Sequence, residues 1–189
     1  GNPNLRPETA IDYDFGFEAE KGRTSGKVSY FHNRVKDLID YEYQGVSPTT
    51  HLYSYKYYNV EHAVIQGIEA EAKQRVGDKL TLGASYTFLD AVNSETDERL
   101  ANRARHNAKL MLTYDDTAKT GLSATLWQDC YELGNDSGIT HLSTTNFVIN
   151  KKFHSGLSAY VGVDNIFDER NVNLFNDGRV WRGGLKYTF

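Results

Sequence analysis

Apolar and polar residues alternate at a period of two along most of this chain. In the last such series, every second position holds an aromatic residue, leucine or glycine: Trp181, Gly183, Leu185, Tyr187 and Phe189. Comparable apolar series begin at Ile11, Leu80, Ala108 and Leu157, and no comparable stripe of helical period is present. Because consecutive side chains of a β-strand point to opposite faces, the pattern predicts strands with one apolar and one polar face.

Nine strands follow from this pattern, and the third is expected to have two parts. Their predicted ranges are residues 9–21, 26–40, 53–74, 79–90, 105–116, 121–131, 140–151, 156–166 and 180–189.

The predicted connections alternate between short and long. Short polar ones cover residues 21–25, 76–78, 115–120 and 152–155. Long ones cover residues 41–52, 91–104, 132–139 and 167–179. Tight turns at one end and longer loops at the other are typical of an outer-membrane barrel. The predicted fold class is therefore an all-β, antiparallel transmembrane β-barrel, with the carboxyl terminus on the periplasmic side; a water-soluble β-sandwich is the alternative.

Composition agrees with strands that meet a membrane interface. The 189 residues include 13 Tyr and 9 Phe, and no apolar run approaches the length of a transmembrane helix. The net charge is −4 with acids and bases interspersed, which excludes a basic nucleic-acid-binding stripe. Cys130 is the single cysteine, so an intrachain disulfide is impossible, and we interpret it as a small packed side chain.

Charged residues fall between the apolar positions of the predicted strands. They include Asp12, Asp14, Glu18, Glu20, Lys109, Arg182 and Lys186. An Arg or Lys that faces lipid near the midplane costs about 2–4 kcal/mol, whereas in a wet lumen it costs little. The polar face is therefore expected to line the lumen.

An odd strand count leaves barrel closure unexplained. Unpaired strand edges cannot face hydrocarbon, because each unsatisfied backbone group costs several kcal/mol. Residues 1–189 are therefore expected to be the carboxyl-terminal portion of one barrel domain, with earlier strands absent. The rivals are a small self-contained barrel with a structural or adhesive role, and an outer-membrane enzyme that uses rim residues such as His106 and Asp129.

Several segments, in order, carry a resemblance to a known family. They are NPNLRPE at residues 2–8, YNV at 58–60 with IQGIE at 65–69, SYTF at 85–88 with RARH at 103–106, and VDNIFD at 163–168 with Gly178-Arg179 and the final YTF. This chain has Ala104 where the family often has Pro. The set resembles TonB-dependent outer-membrane receptors.

That resemblance implies about the last nine strands of a 22-stranded barrel that an amino-terminal plug fills. It implies active import of a siderophore, haem or cobalamin-type ligand, energised by TonB through the missing plug region. It implies no catalysis and no cofactor, and a setting of outer-membrane lipid and lipopolysaccharide.

Candidate binding residues lie at the predicted loop rim. His51, His106 and His141 fall in or beside predicted loops, where an imidazole could ligate haem iron or simply be solvated. Tyr53 belongs to a tyrosine cluster that forms either an interfacial girdle or a stacking wall for a planar ligand. Asn171 and Arg179 are polar candidates in the last loop, and no resident metal site is expected. By resemblance, Phe189, Tyr187 and Leu185 form the outer-membrane assembly signal.

Overall fold

Nine strands form one antiparallel sheet in which each strand pairs with its neighbours in sequence. The structure, a computed structural model, describes residues 2–101, 103–135, 138–154, 156–171, 176 and 178–188, with the side chains of 133–135, 138 and 139 excepted. The strands are β1 (Thr9–Lys21), β2 (Thr24–Val46), β3 (Tyr53–Val76), β4 (Leu80–Asn93), β5 (Ala104–Asp116), β6 (Leu122–Asn135), β7 (Gly138–Lys152), β8 (Leu157–Asp164) and β9 (Val180–Tyr187). β1 and β9 are the two edges, so these strands alone form an open sheet.

The register brings the apolar series of all strands onto one face. Phe15 lies opposite Tyr30, and the row continues across β3 and β4 to Phe88. At the other side of the sheet, Leu126 begins a row that ends at Trp181. Because a slip of one residue in any pairing would move a whole strand's apolar residues to the other face, the agreement of the registers confirms the predicted alternation. We call the two surfaces the apolar face and the polar face.

The apolar face is uncovered in the part of the chain that the structure describes. Phe15 and Leu185 are each 78% exposed, and Leu110 is 64% exposed. A water-soluble sandwich would bury this face against a second layer. The single layer therefore favours the predicted membrane barrel over the sandwich.

The predicted strands are confirmed, with three differences at their ends. β2 continues to Val46, so half of the predicted loop 41–52 is strand, and β3 is continuous rather than two-part. β6 and β7 are separated only by residues 136–137, so the predicted long loop 132–139 is also wrong. In β2 the alternation continues, since Glu42 separates Tyr41 and Tyr43, so the prediction ended the strand too early. The extensions of β6 and β7 contain Gly134, Asn135 and Gly138, which are residue types that favour a turn.

Connections at one end of the sheet are short and those at the other are mostly long. We call these the turn end, where β1–β2, β3–β4, β5–β6 and β7–β8 are joined, and the loop end, where β2–β3, β4–β5, β6–β7 and β8–β9 are joined. Among the described residues, no helix is long and apolar enough to span a membrane.

Gly67 shows how closely the strands approach on the polar face. A Cβ at this position would lie 2.1 Å from the carbonyl oxygen of Phe88 and 2.6 Å from the ring of Phe31. Only glycine fits beneath that ring, which explains why the IQGIE segment has glycine at position 67.

Candidate functional site

Residues 2–8, which we call the strap, cross the loop end of β2 and bind β3. The side-chain amide of Asn59 accepts a hydrogen bond from the backbone N of Arg6 at 2.9 Å. The same amide donates to the carbonyl oxygens of Arg6 and Asp37, at 3.0 and 2.7 Å. Two of the segments that carry the family resemblance, NPNLRPE and YNV, are therefore in direct contact.

Charged groups fasten the strap where β2 is irregular. Asp37 has a φ of 57°, which few residues other than glycine adopt, and its side chain is mostly buried. The Arg6 guanidinium lies 2.7 Å from the Asp37 carboxylate and 3.6 Å from that of Glu61. Glu8 accepts a hydrogen bond from the backbone N of Ile39 at 2.5 Å. The strap thus fixes the hairpin where it leaves the regular sheet.

Beyond the strap, the β2–β3 hairpin carries a ladder of tyrosines. Tyr41 and Tyr55 meet edge to face with ring centroids 5.6 Å apart, and Tyr43 and Tyr53 are 6.0 Å apart. Tyr53 is 72% exposed, so most of its ring is accessible. His51 lies in the turn at the hairpin tip, where its backbone N donates to Ser47 at 2.9 Å. The hairpin tip therefore brings together two of the predicted binding residues, His51 and Tyr53.

The connection between β8 and β9 is held at its base by its own motif residues. The backbone N of Asn165 donates to the Asn146 side chain at 2.8 Å. Its side chain also exchanges hydrogen bonds with the backbone of Glu169, at 2.6 and 3.0 Å. These bonds join the start of the connection to β7.

The same connection is closed by a second set of contacts. The Asp168 carboxylate accepts a hydrogen bond from the backbone N of Arg179 at 2.8 Å and lies 3.2 Å from the Arg170 guanidinium. Both contacts hold the pKa of the Asp168 carboxyl below its ordinary value, and the hydrogen bond from the Arg179 backbone has the larger effect. Gly178 has a φ of 109°, and a Cβ there would lie 2.4 Å from the Asp168 carboxylate. The VDNIFD and Gly178-Arg179 segments therefore interlock.

A cleft of about 410 Å³ lies at the apolar-face side of β5–β7 near the loop end. Three predicted residues, His106, His141 and Asn171, line it together with Glu132 and Arg170. His106 and His141 lie within β5 and β7 rather than in loops, and cross-strand pairing puts both beside Glu132. The structure thus joins half of the predicted binding residues in one place.

These two imidazoles already have protein partners. The Nδ1 atom of His106 lies 2.7 Å from the Tyr86 hydroxyl. The Nδ1 atom of His141 lies 3.7 Å from the Glu132 carboxylate. Each ring keeps its Nε2 atom as a further possible donor or ligand.

A second cleft, of about 440 Å³, lies against the polar face at the same end. Asp129 lines it and accepts hydrogen bonds from the Trp127 indole at 2.8 Å and the Asn146 amide at 3.1 Å. The Lys109 ammonium lies 3.1 Å from the other carboxylate oxygen of Asp129. A continuous polar network therefore runs from Lys109 to Asn165 at the base of the last connection.

Sequence reasoning did not select this network as a binding site. Lys109 was assigned to the polar face, which the register confirms, but Asn107 and Asn146 were not identified as candidates. Their positions on the polar side of alternating strands were a usable signal. Their closeness in space could not be predicted, because it depends on pairing between strands that are distant in sequence.

Arg179 and the assembly-signal residues lie elsewhere. Arg179 is exposed and is fixed by its backbone rather than its guanidinium. Leu185 and Tyr187 lie on the apolar face of β9, opposite Ala159 and Leu157. Phe189 lies outside the described residues.

The sequence matches the family described as TonB dependent receptor-like, beta-barrel, over residues 1–166. The chain belongs to this family. TonB-dependent receptors are transporters rather than enzymes, and their barrels lie in the bacterial outer membrane.

Solved structures similar to this TonB-dependent receptor chain include three transport proteins. The copper transporter OprC is 19% identical, with a TM-score of 0.76 over 99% of this chain and 32% of its own. The siderophore receptor PirA from Acinetobacter baumannii is 22% identical, with a TM-score of 0.72 over 100% of this chain and 33% of its own. A variant of the ferric enterobactin receptor PfeA from Pseudomonas aeruginosa, in complex with enterobactin, is 21% identical, with a TM-score of 0.73 over 98% of this chain and 32% of its own.

These likenesses show the fold. The chain spans about a third of the length of the structures that it matches.

Proposed function

We propose that this chain is the carboxyl-terminal portion of the barrel of an outer-membrane receptor that imports a scarce nutrient, such as a ferric siderophore. Residues 1–189 then form one part of a single barrel domain, and TonB supplies energy through a plug region outside them. The observation that carries the proposal is the alignment of apolar and polar faces across all nine strands. Similarity to receptors for siderophores supports an iron complex as the ligand.

In this proposal the apolar face meets lipid and the polar face lines the lumen. Lys109 and Arg182 lie on the polar face and are paired there with Asp129 and Asp164. If the faces were reversed, each cation would meet hydrocarbon at a cost of about 2–4 kcal/mol near the midplane. The loop end then faces the outside of the cell, and the carboxyl terminus faces the periplasm.

Ligand contacts are proposed in two layers. The outer layer consists of His51 and Tyr53 at the hairpin tip with Asn171 and Arg179 in the last connection. The inner layer is the polar-face cleft around Asp129, where fixed donors and acceptors surround a space of about 440 Å³. For haem, the exposed imidazole of His51 is the candidate iron ligand in the outer layer, whereas His106 and His141 lie on the apolar face.

Transport by the full-length receptor tests the inner layer. The receptor is produced in cells that lack other iron receptors, and uptake of radio-iron-labelled enterobactin and growth on haem are measured. Asp129→Asn removes the charge that Lys109 neutralises, so we expect uptake to fall by about tenfold or more at an unchanged outer-membrane level.

Asp78→Asn is the matched control, because Asp78 is an exposed carboxylate at the turn end that pairs with Arg23. It should leave uptake unchanged. Equal uptake by the Asp129→Asn receptor and the unmodified receptor would contradict a role of this cleft in the ligand path.

A further inference from the structure

Glu61, His62 and Glu95 bring three metal-binding side chains together at the loop end. One ligand atom from each lies within 4.8 Å of the other two. The Nδ1 atom of His62 lies 2.8 Å from a carboxylate oxygen of Glu95. None of these residues lines either cleft described above.

The convergence of Glu61 and His62 is unusual for a strand. Consecutive residues of a regular strand point to opposite faces, so adjacent side chains do not normally share a third partner. Here the strand opposite is interrupted at Asp37, between the pairs Lys36–His62 and Leu38–Val60. At this point ligand atoms of both Glu61 and His62 come within 4.8 Å of one from Glu95.

The connection between β4 and β5 holds Glu95 in place. Ser94 donates to the carbonyl oxygen of His62 through its backbone N at 3.0 Å and its hydroxyl at 3.2 Å. The backbone N of Glu95 donates to the Asn93 side chain at 3.0 Å. These bonds hold the backbone that carries Glu95 beside β3 before any ion binds.

The donor set suits a particular class of cation. Two carboxylates and one imidazole provide charge for a divalent ion, and the imidazole favours a transition metal over Ca²⁺ or Mg²⁺. Zinc binds nitrogen and oxygen at about 2.0–2.2 Å, so two neighbouring ligands of a tetrahedral ion lie about 3.3 Å apart. The observed 2.8 Å between His62 and Glu95 needs only a small separation to admit the ion.

Accessibility and charge also fit an exchangeable ion. The side chains of Glu61, His62 and Glu95 are 60%, 56% and 47% exposed. The cation nearest to Glu61 is Arg6, whose guanidinium is 3.6 Å away but only 2.7 Å from Asp37. Arg6 is therefore held chiefly by Asp37, and metal binding at Glu61 leaves the strap in place.

We propose that Glu61, His62 and Glu95 bind one divalent transition-metal ion of the Zn²⁺ or Co²⁺ type, with water as the remaining ligand. The ion takes the place of the proton between His62 and Glu95 and joins the β4–β5 connection to β3. None of the three residues lines the two clefts described above, so the proposal does not rest on the identity of the imported nutrient.

The test uses the full-length receptor purified in detergent at neutral pH. Binding of Zn²⁺ is measured by calorimetry, and Co²⁺ is added to record its visible absorption. We expect Glu61→Gln and His62→Gln each to weaken Zn²⁺ binding by about tenfold or more and to remove one equivalent of the Co²⁺ signal.

Glu61→Gln is the decisive variant, because it keeps the hydrogen bond between His62 and Glu95 and removes only the third ligand. If His62 and Glu95 only held the β4–β5 connection in place, Glu61→Gln would leave Zn²⁺ binding unchanged. His154→Gln is the control, since His154 is an exposed imidazole at the turn end and should leave binding unchanged. Undiminished Zn²⁺ affinity in Glu61→Gln and His62→Gln, or an equal loss in His154→Gln, would overturn the proposal.

Discussion

Asn59 and Asn165 have matching roles at the two ends of the chain. Each uses both atoms of its amide to tie one backbone segment to another: Asn59 joins the strap to β2, and Asn165 joins the last connection to itself. Two further motif segments meet through side chains, since the Tyr86 hydroxyl lies 2.7 Å from the His106 imidazole. The family motifs in this chain are thus partners of one another, which explains their residue types without a ligand.

Substitution of one glycine tests the tightest of these contacts. Gly67→Ala places a Cβ against the Phe88 carbonyl and the Phe31 ring, so we expect it to lower the free energy of unfolding by about 1–3 kcal/mol. Urea unfolding of the refolded full-length receptor, followed by tryptophan fluorescence, measures the loss.

Gly83→Ala is the control on the same face, because its new Cβ would meet only the flexible end of Met111 at 3.2 Å. It should change the free energy of unfolding by much less. Equal effects of the two substitutions would show that the Phe31 contact is not what requires glycine at position 67.

At the scale of elements, alternation predicts the strands where the two faces differ and fails where they do not. β5 differs from its predicted range by one residue at its start, because Leu110 and Lys109 mark opposite faces. Residues 132–139 contain the turn-forming residues Gly134, Asn135 and Gly138 and show no clear apolar face, so the strand ends there were not predicted. In β2, by contrast, the alternation of tyrosines with polar residues continues past residue 40, and the prediction ended the strand too early. His106 and His141 lie within β5 and β7, and their position beside Glu132 was not predicted, because strand pairing is non-local.

The connection between β8 and β9 should loosen in acid. Because contacts with Arg179 and Arg170 lower the pKa of Asp168 in the folded state, its stabilising contribution is complete above the ordinary pKa of 3.8 and is lost as pH falls through the lower folded value. A spin label at Phe167→Cys, in a Cys130→Ser background, should become more mobile over that range.

Asp168→Asn keeps an oxygen acceptor for Arg179 but cannot titrate. Its spin-label mobility should be the same at neutral and acidic pH. An unchanged acid response in this variant would assign the loosening to another group.

At the scale of the whole molecule, the sheet is a single layer whose apolar surface has no protein cover among the described residues. Large side chains such as Phe17 and Trp181 are 71% and 68% exposed on it. Such a surface is stable in lipid and unstable in water, because the hydrophobic effect drives apolar area out of water. We therefore expect the stability of this sheet to fall when its apolar face meets water instead of lipid.

Two adjacent residues of β5 test which face meets lipid. Leu110→Arg puts a cation on the apolar face near mid-strand, at a cost of about 2–4 kcal/mol, so the full-length receptor should reach the outer membrane at a reduced level. Met111→Arg makes a similar change one position later, on the polar face, and should assemble normally. Gel mobility with and without heating, on outer-membrane fractions, measures assembly. The reverse order of the two effects would put the apolar face inside.

The hydrogen bond between Asp168 and Arg179 also bears on how the connection between β8 and β9 can vary in sequence. The backbones of Asn171 and Asn176 pair with each other at 3.1 and 3.0 Å, inside a base that Asn165 and Asp168 have already fastened to the wall. We therefore expect these anchoring bonds to form independently of which residues stand between the two asparagines. The strands on either side would then carry connections of different sequence from the same fixed base.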